Sequence, residues 1–161
     1  MTPSTLEVVN TVAQVGLFLA TVGLVYIAYY QVNKIREQSN ADFIARLNRE
    51  FFYENETNPG ILQAIEEHRP LFKNAGGNFS DYQIHAYLRY FEMIERFIAS
   101  GIVRIELVDE MFGGYIARAW ENPEIKKYVD EIRSNKKDKR YFEHFEQLAK
   151  RILDIEKRSR V

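Results

Sequence analysis

The 161-residue chain contains no cysteine, and this absence excludes several kinds of chemistry. Without thiols there is no disulfide framework, no thiolate metal site and no cysteine nucleophile. An excess of charge is also lacking, because 22 basic and 23 acidic side chains give a formal net charge of −1. A general nucleic-acid binder is usually distinctly basic, so we expect no nucleic-acid polymer as a partner.

Charged residues are missing from one long segment near the start of the chain. Val8 to Asn33 is a run of 26 residues without a Lys, Arg, Asp, Glu or His. As a helix it would reach about 39 Å at about 1.5 Å per residue, against a hydrocarbon core of about 30 Å. A cleaved signal peptide would need a basic segment before the run, and a buried soluble helix seldom stays uncharged for so long. The sequence therefore predicts a membrane-spanning helix.

Basic residues flank this run on one side only. Lys34 and Arg36 follow it closely, whereas no Lys or Arg precedes it. The positive-inside rule therefore predicts an N-terminus outside and a long cytoplasmic remainder. Tyr26, Tyr29 and Tyr30 would then lie at the inner headgroup level, where amphipathic rings are favoured. We expect a single-pass protein with membrane lipid as a partner.

Small residues recur along one face of the predicted membrane helix. They are Ala13, Gly16, Ala20 and Gly23, at spacings of three, four and three. Such spacing lets two backbones approach closely, which is how helices associate in lipid. We expect this face to join copies of the chain into a homo-oligomer, the alternative being that Gly and Ala are simply common in spanning helices.

The rest of the chain is dominated by helix signals, and no sustained alternation of apolar and polar residues predicts a strand. We expect an extracytoplasmic tail and transmembrane helix over 1–33, a connecting helix over 34–58 and a cytoplasmic helical domain over 59–161. The fold class is therefore all-α, with a single N-terminal transmembrane helix continuing into a small cytoplasmic helical bundle. The helices predicted after the membrane are Lys34–Tyr53, Ile61–Arg69 with Asn58 as N-cap, Asp81–Ser100 with a capping box from Ser80 to Gln83, Glu106–Trp120 interrupted by Gly113 and Gly114, Pro123–Arg133 capped by Asn122, and Arg140–Lys157.

Four segments of the second half form a recognisable succession. They are FEMIERF (Phe91–Phe97), SGIV (Ser100–Val103), LVDEMFGGYIARAW (Leu107–Trp120) and RYFEHFEQLA (Arg140–Ala149). This succession resembles a family of short bacterial proteins of unknown function, over residues 85 to 150. The resemblance implies a membrane helix before a small cytoplasmic domain, a bacterial inner (cytoplasmic) membrane and no enzymatic activity. It also groups six residues, for packing or for binding: Phe112, Gly113, Gly114, Trp120, Glu143 and His144.

Two of these features suggest chemistry. Paired glycines within a helix cost about 1 kcal/mol each relative to alanine, so Gly113 and Gly114 indicate either close helix packing or a kink that exposes backbone to a ligand. His144 lies beside Glu143, but the Glu-x-x-His spacing of helical metal sites is missing because position 141 is Tyr. We therefore expect no metal, no cofactor and no catalytic residue.

Charge is unevenly distributed along the chain. Residues 54–112 carry ten acidic and five basic side chains, whereas residues 133–161 carry ten basic and five acidic ones. The basic end would contact anionic lipid headgroups or a nucleotide-type messenger, or else form solvated faces only. The candidate contacts with a ligand or partner are Phe112, Gly113, Gly114, Trp120, Lys136, Lys137, Arg140 and His144.

Together these features predict a membrane-anchored, self-associating helical protein that acts through protein contacts, as an interaction module or accessory subunit. The alternative is a ligand-gated membrane effector or sensor. In that case the cytoplasmic domain binds a small signal, such as a nucleotide, and rearranges oligomeric membrane helices. We do not expect an enzyme, because the sequence has no nucleophile–base or metal constellation.

Overall fold

A computed structural model describes residues 5–135 and 139–159 of the chain. Its described residues form six α-helices and no multi-residue strand, which confirms the all-α prediction. The helices are α1 Thr5–Arg49, α2 Thr57–Glu66, α3 Asp81–Ala99, α4 Ile105–Glu121, α5 Pro123–Asn135 and α6 Glu143–Ser159, with a π-helical turn Glu50–Glu54 and a 3₁₀ turn Lys73–Ala75. The chain divides into two compact units, one ending at Ala41 and one beginning at Asp42.

The first unit is the N-terminal part of α1, and its large apolar side chains are exposed. Leu17 is 72% exposed and Phe18 is 68% exposed. Among the described residues, Gly16–Glu54 is the one helical stretch that is long and apolar enough to cross a membrane, and none of its apolar window is buried within the chain. Exposure of this extent is unusual for a helix that meets only water.

The helix α3 begins at the capping box that the sequence predicts. The Ser80 hydroxyl accepts from the Gln83 backbone N–H at 3.3 Å, and the Gln83 side chain accepts from the Ser80 N–H at 2.9 Å. Gly101 follows the helix in the left-handed region with φ 72°, where a side chain would be strained. Local chemistry therefore defines both ends of this helix.

The start of α2 differs from the prediction. The helix begins at Thr57 rather than Ile61, and Asn58 is buried inside its first turn instead of capping it. The side-chain oxygen of Asn55 accepts from the Thr57 backbone N–H at 3.1 Å, so an earlier asparagine organises this turn. The helix also ends before Arg69, because His68 adopts a left-handed φ of 54°.

Two further boundaries correct the sequence prediction. The helix α4 runs unbroken through Gly113 and Gly114, so the predicted interruption is wrong. The helix α6 begins at Glu143 rather than Arg140, because Phe142 has a left-handed φ of 58° and closes a turn. In that turn the Glu143 backbone N–H donates to the carbonyl of Arg140 at 3.0 Å.

The core of the second unit lies where α6 packs against α3 and α4. Its centre is aromatic and aliphatic, and a tight interior of this kind leaves few voids. Side chains with no exposed surface include Phe51, Tyr87, Phe91, Phe112, Phe145, Leu148 and Ile152. This core fixes the relative positions of the three helices that carry the candidate site residues.

Candidate functional site

Three of the segments named above meet at one fully buried ring, Phe145 of α6. The Phe91 ring of α3 stacks on it with centroids 5.7 Å apart and an interplanar angle of 21°. The Trp120 ring of α4 meets it edge-on at 5.6 Å and 78°. Both geometries are among those that aromatic pairs prefer. Trp120 therefore serves packing, joining α4 to α6.

Phe112 also lies in the core. It has no exposed surface, and its ring meets that of Phe51 edge-on at a centroid distance of 5.7 Å. A side chain in this position has no face for a soluble ligand, so the structure gives Phe112 a packing role.

The two glycines beside Phe112 have different surroundings. A methyl group on Gly113 would crowd the Asp109 side chain and would lie 3.5 Å from Cγ2 of Ile152 on α6. The crowding is thus with Asp109 of the same helix, whereas the contact with α6 would be an ordinary one. The glycine pair forms no kink, so the packing interpretation fits this position better than the binding one.

Gly114 is exposed and makes room for an arginine. The Arg118 Nε donates to the Gly114 carbonyl at 2.9 Å, and a methyl group on Gly114 would lie 3.1 Å from Arg118 Nη2. The same guanidinium pairs with Glu66 of α2 at 2.7 Å and lies 5.6 Å from the Tyr115 ring centroid. Gly114 therefore supports an ion pair that joins α4 to α2.

Arg140 and His144 lie in a different place, a cleft between α3 and the start of α6. The cleft has a volume of about 410 Å³. We call it the α3–α6 cleft, and its lining residues are Arg89, Glu92, Arg96, Arg140, Tyr141, Phe142, Glu143 and His144. Lys136 and Lys137, the other two basic candidates, fall outside the described residues. The structure thus brings two of the predicted residues together with three charged residues of α3.

Glu92 is one of the two carboxylates that line this cleft, the other being Glu143. Its half-buried position raises the pKa of the carboxyl above its ordinary value, because burial disfavours the charged form. The positive charges of His144, Arg96, Arg89 and Arg133 act in the opposite direction and pull the pKa down. Four basic side chains therefore favour the charged form of this one carboxyl group.

Arg133 of α5 holds the turn that carries Arg140. Its Nε donates to the Tyr141 carbonyl at 2.8 Å, and its Nη2 donates to the Glu146 carboxylate at 2.8 Å. Lys150 bonds the other oxygen of Glu146 at 2.6 Å. Hydrogen bonds from Lys150 and then Arg133 hold the pKa of Glu146 below its ordinary value, despite partial burial. The wall of the cleft formed by the start of α6 is thus fixed by paired charges.

Sequence reasoning missed the α3 wall of the cleft. Arg89, Glu92 and Arg96 recur at spacings of three and four, which places them on one helix face. The same spacing is also typical of a solvated helix face, so by itself it does not predict a site. The turn before α6 forms the other wall of the cleft, and its position beside α3 follows only from the fold.

Two features remain: the potential metal ligands and the small-residue face of α1. Across residues 5–135 and 139–159, no group of three or more His, Asp or Glu side chains is placed to hold a metal ion. On α1, a methyl group added to Gly16 or Gly23 would meet nothing within 4 Å. Ala20 is exposed on the same helix, and the side chain of Ala13 is outside the described set. Within one chain, the described part of this face is open.

These observations define a class: an all-α protein with one apolar helix of membrane-spanning length and a separate helical unit. The chain belongs to the family that carries a domain of unknown function, DUF4760, whose family model matches residues 10–152. This agrees with the resemblance to an uncharacterised family. Comparisons with curated proteins and with solved structures gave no match.

Proposed function

We propose that this protein is anchored in a membrane by α1, self-associates through that helix, and acts through protein contacts as an interaction module or accessory subunit. The observation that carries the proposal is the unburied apolar surface of α1. Transfer of apolar surface from water is worth roughly 25 cal/mol per Å². Side chains such as Leu17, Phe18 and Leu24 are each more than three-fifths exposed, so lipid would cover a large apolar area.

The flanking charges support an orientation within this proposal. Lys34 and Arg36 at the C-terminal end of the apolar run favour a cytoplasmic second unit and an external N-terminus. A bacterial inner membrane fits both this orientation and the family resemblance. A signal peptide would instead be removed, so the intact mass of the purified protein distinguishes the two: retention of residues 1–33 supports the anchor.

Self-association is proposed through Ala13, Gly16, Ala20 and Gly23. The open space at Gly16 and Gly23 supports it, because close helix contact in lipid requires room at the backbone. Substituting leucine at both glycines would fill that room. The test is the mass of the protein in detergent micelles, measured by light scattering for wild type and the Gly16→Leu/Gly23→Leu variant.

The matched control changes the opposite side of the same helix. Phe18→Leu with Val25→Leu alters two positions one heptad apart, both well exposed, about 200° around the helix from the glycines. We expect the glycine variant to lose the oligomer and the control variant to keep it. An oligomer unchanged by the glycine substitutions, or a monomeric wild type, contradicts self-association through this face.

A second candidate function is favoured by one observation, the clustering of Arg140 and His144 with three α3 charges in the α3–α6 cleft. In this case the protein is a ligand-gated effector or sensor in which binding to the second unit rearranges associated membrane helices. Dye release from vesicles that contain the full chain tests it directly. Release that begins only on addition of a nucleotide supports gating, and an absence of release with every nucleotide tried argues for the first candidate.

A further inference from the structure

We propose that the α3–α6 cleft binds a phosphate group, carried either by a small soluble molecule or by a lipid headgroup. This inference names the ligand chemistry of the second candidate function and rests on it for the biological use of the site. The binding itself is tested separately from gating. It extends beyond the residues expected from the sequence, because the α3 wall supplies half of the charges.

Arginines provide the chemistry of the site. Arg89 and Arg96 are two turns apart on α3, a rise of about 10.5 Å along the helix. Neither forms an ion pair with a carboxylate within the described part of the chain, whereas Arg133 and Arg151 nearby each do. A guanidinium presents paired N–H donors that match two oxygens of one phosphate. Arg140 and His144 line the facing wall of the same cleft.

Substitution of Glu92 is the most informative test, because the proposal predicts that phosphate affinity rises when this charge is removed. Glu92 lies between Arg89 and Arg96 on α3 and, within the described residues, forms no ion pair with them at contact distance. Its carboxyl group is half-buried, and burial disfavours its charged form. An incoming phosphate would compete with this carboxylate for the same cations. Removal of the Glu92 charge should therefore strengthen phosphate binding. If Glu92 only stabilised the fold, its removal would not raise the affinity for phosphate.

The remaining wall of the cleft is preorganised. Arg133 bonds the Tyr141 carbonyl and the Glu146 carboxylate, and Phe142 holds a left-handed backbone conformation. Non-glycine residues with a left-handed backbone, such as Phe142, are concentrated at functional sites. The cleft, about 410 Å³ in volume, is largely open to solvent, so a phosphate has direct access to its cations. A fixed wall lowers the ordering cost of binding.

The experiment uses the full chain in neutral detergent micelles and isothermal titration calorimetry at constant salt and pH. The soluble probes are inorganic pyrophosphate and AMP, and the lipid probe is short-chain dihexanoyl phosphatidylglycerol. Arg89→Gln with Arg96→Gln should weaken binding at least about tenfold, as expected for lost charge-assisted hydrogen bonds. Glu92→Gln should strengthen it severalfold. The control, Arg104→Gln with Arg158→Gln, removes the same charge from exposed positions outside the cleft and should leave affinity unchanged.

The outcomes separate the sources of the phosphate and the competing explanations. Binding of AMP or pyrophosphate assigns a soluble ligand, and binding of the lipid probe alone assigns a headgroup. Three results would overturn the proposal: no probe binds, the control loses as much affinity as the cleft variant, or Glu92→Gln weakens binding while circular dichroism shows an intact fold. Binding of polyglutamate without any phosphate probe would also overturn it, in favour of an acidic segment. Phosphate binding without dye release from vesicles would keep the site and remove the gating function.

Discussion

Truncation of Phe145 tests whether the family-like segments serve packing. Phe145 has no exposed surface, and its ring contacts Phe91 at 5.7 Å and Trp120 at 5.6 Å. Phe145→Ala removes a buried ring from the point where α3, α4 and α6 meet. Substitutions of this kind cost about 3–5 kcal/mol, which includes the cavity left behind. That is a large share of the roughly 5–15 kcal/mol by which domains are stable.

A milder variant keeps the prediction testable if the alanine variant fails to fold. Phe145→Leu retains most of the side-chain volume but loses both ring contacts, each worth about 0.5–1.5 kcal/mol. We expect this variant to be destabilised by about 1–3 kcal/mol. Tyr53→Ala is the control, because Tyr53 is 79% exposed and exposed substitutions usually change stability by less than about 0.5 kcal/mol.

The assay is urea unfolding of the full chain in detergent, followed by tryptophan fluorescence. Trp120 is the single tryptophan of the sequence and lies against Phe145, so its emission reports on this contact. The free energy of unfolding follows from linear extrapolation to zero urea. A Phe145→Ala midpoint equal to that of Tyr53→Ala would refute the packing role of this aromatic junction.

Two other positions of the same unit give predictions. Gly113→Ala should change the free energy of unfolding by less than about 1 kcal/mol, since the gain in helix propensity offsets crowding of the flexible Asp109 side chain. Gly113→Leu should lower the free energy of unfolding by about 1–3 kcal/mol, because the longer side chain would run into Ile152, and equal urea midpoints for the two variants would contradict this. Glu146 has a pKa held down by Lys150 and Arg133, so its stabilising contribution is complete above its ordinary pKa of 4.5 and is lost as pH falls through the lower folded value. Glu146→Gln should therefore be less stable at neutral pH and lose less stability on acidification, as measured by thermal unfolding at a series of pH values; parallel wild-type and variant curves would contradict this.

Helix boundaries set by local chemistry were predictable from the sequence. The Ser80 capping box opens α3 as expected, and Asn122 caps α5 by accepting from the Glu124 backbone N–H at 2.9 Å. Each signal acts over three or four residues, so it needs no knowledge of the fold. The position of Gly101 after α3 is read in the same way.

The boundaries that sequence reasoning missed depend on contacts between distant residues. Gly113 suggests a break in isolation, yet α4 continues through it at a buried position beside Ile152 of α6. Phe142 has a left-handed φ and a side chain buried in the core, a placement that depends on the rest of the fold. The α3–α6 cleft has the same origin: Arg89 and Arg140 are far apart in sequence, and only the packing of α6 on α3 brings them together.

The membrane anchor is tested most directly by cysteine accessibility in intact cells. The chain has no native cysteine, so Thr5→Cys and Asp154→Cys each introduce a unique thiol, one before the apolar run and one at an exposed position of α6. A membrane-impermeant maleimide should label Thr5→Cys in intact cells and Asp154→Cys only after permeabilisation. Alkaline carbonate should leave both proteins in the membrane pellet. Release into the supernatant, or labelling of Asp154→Cys in intact cells, would contradict a single-pass anchor with its C-terminal unit in the cytoplasm.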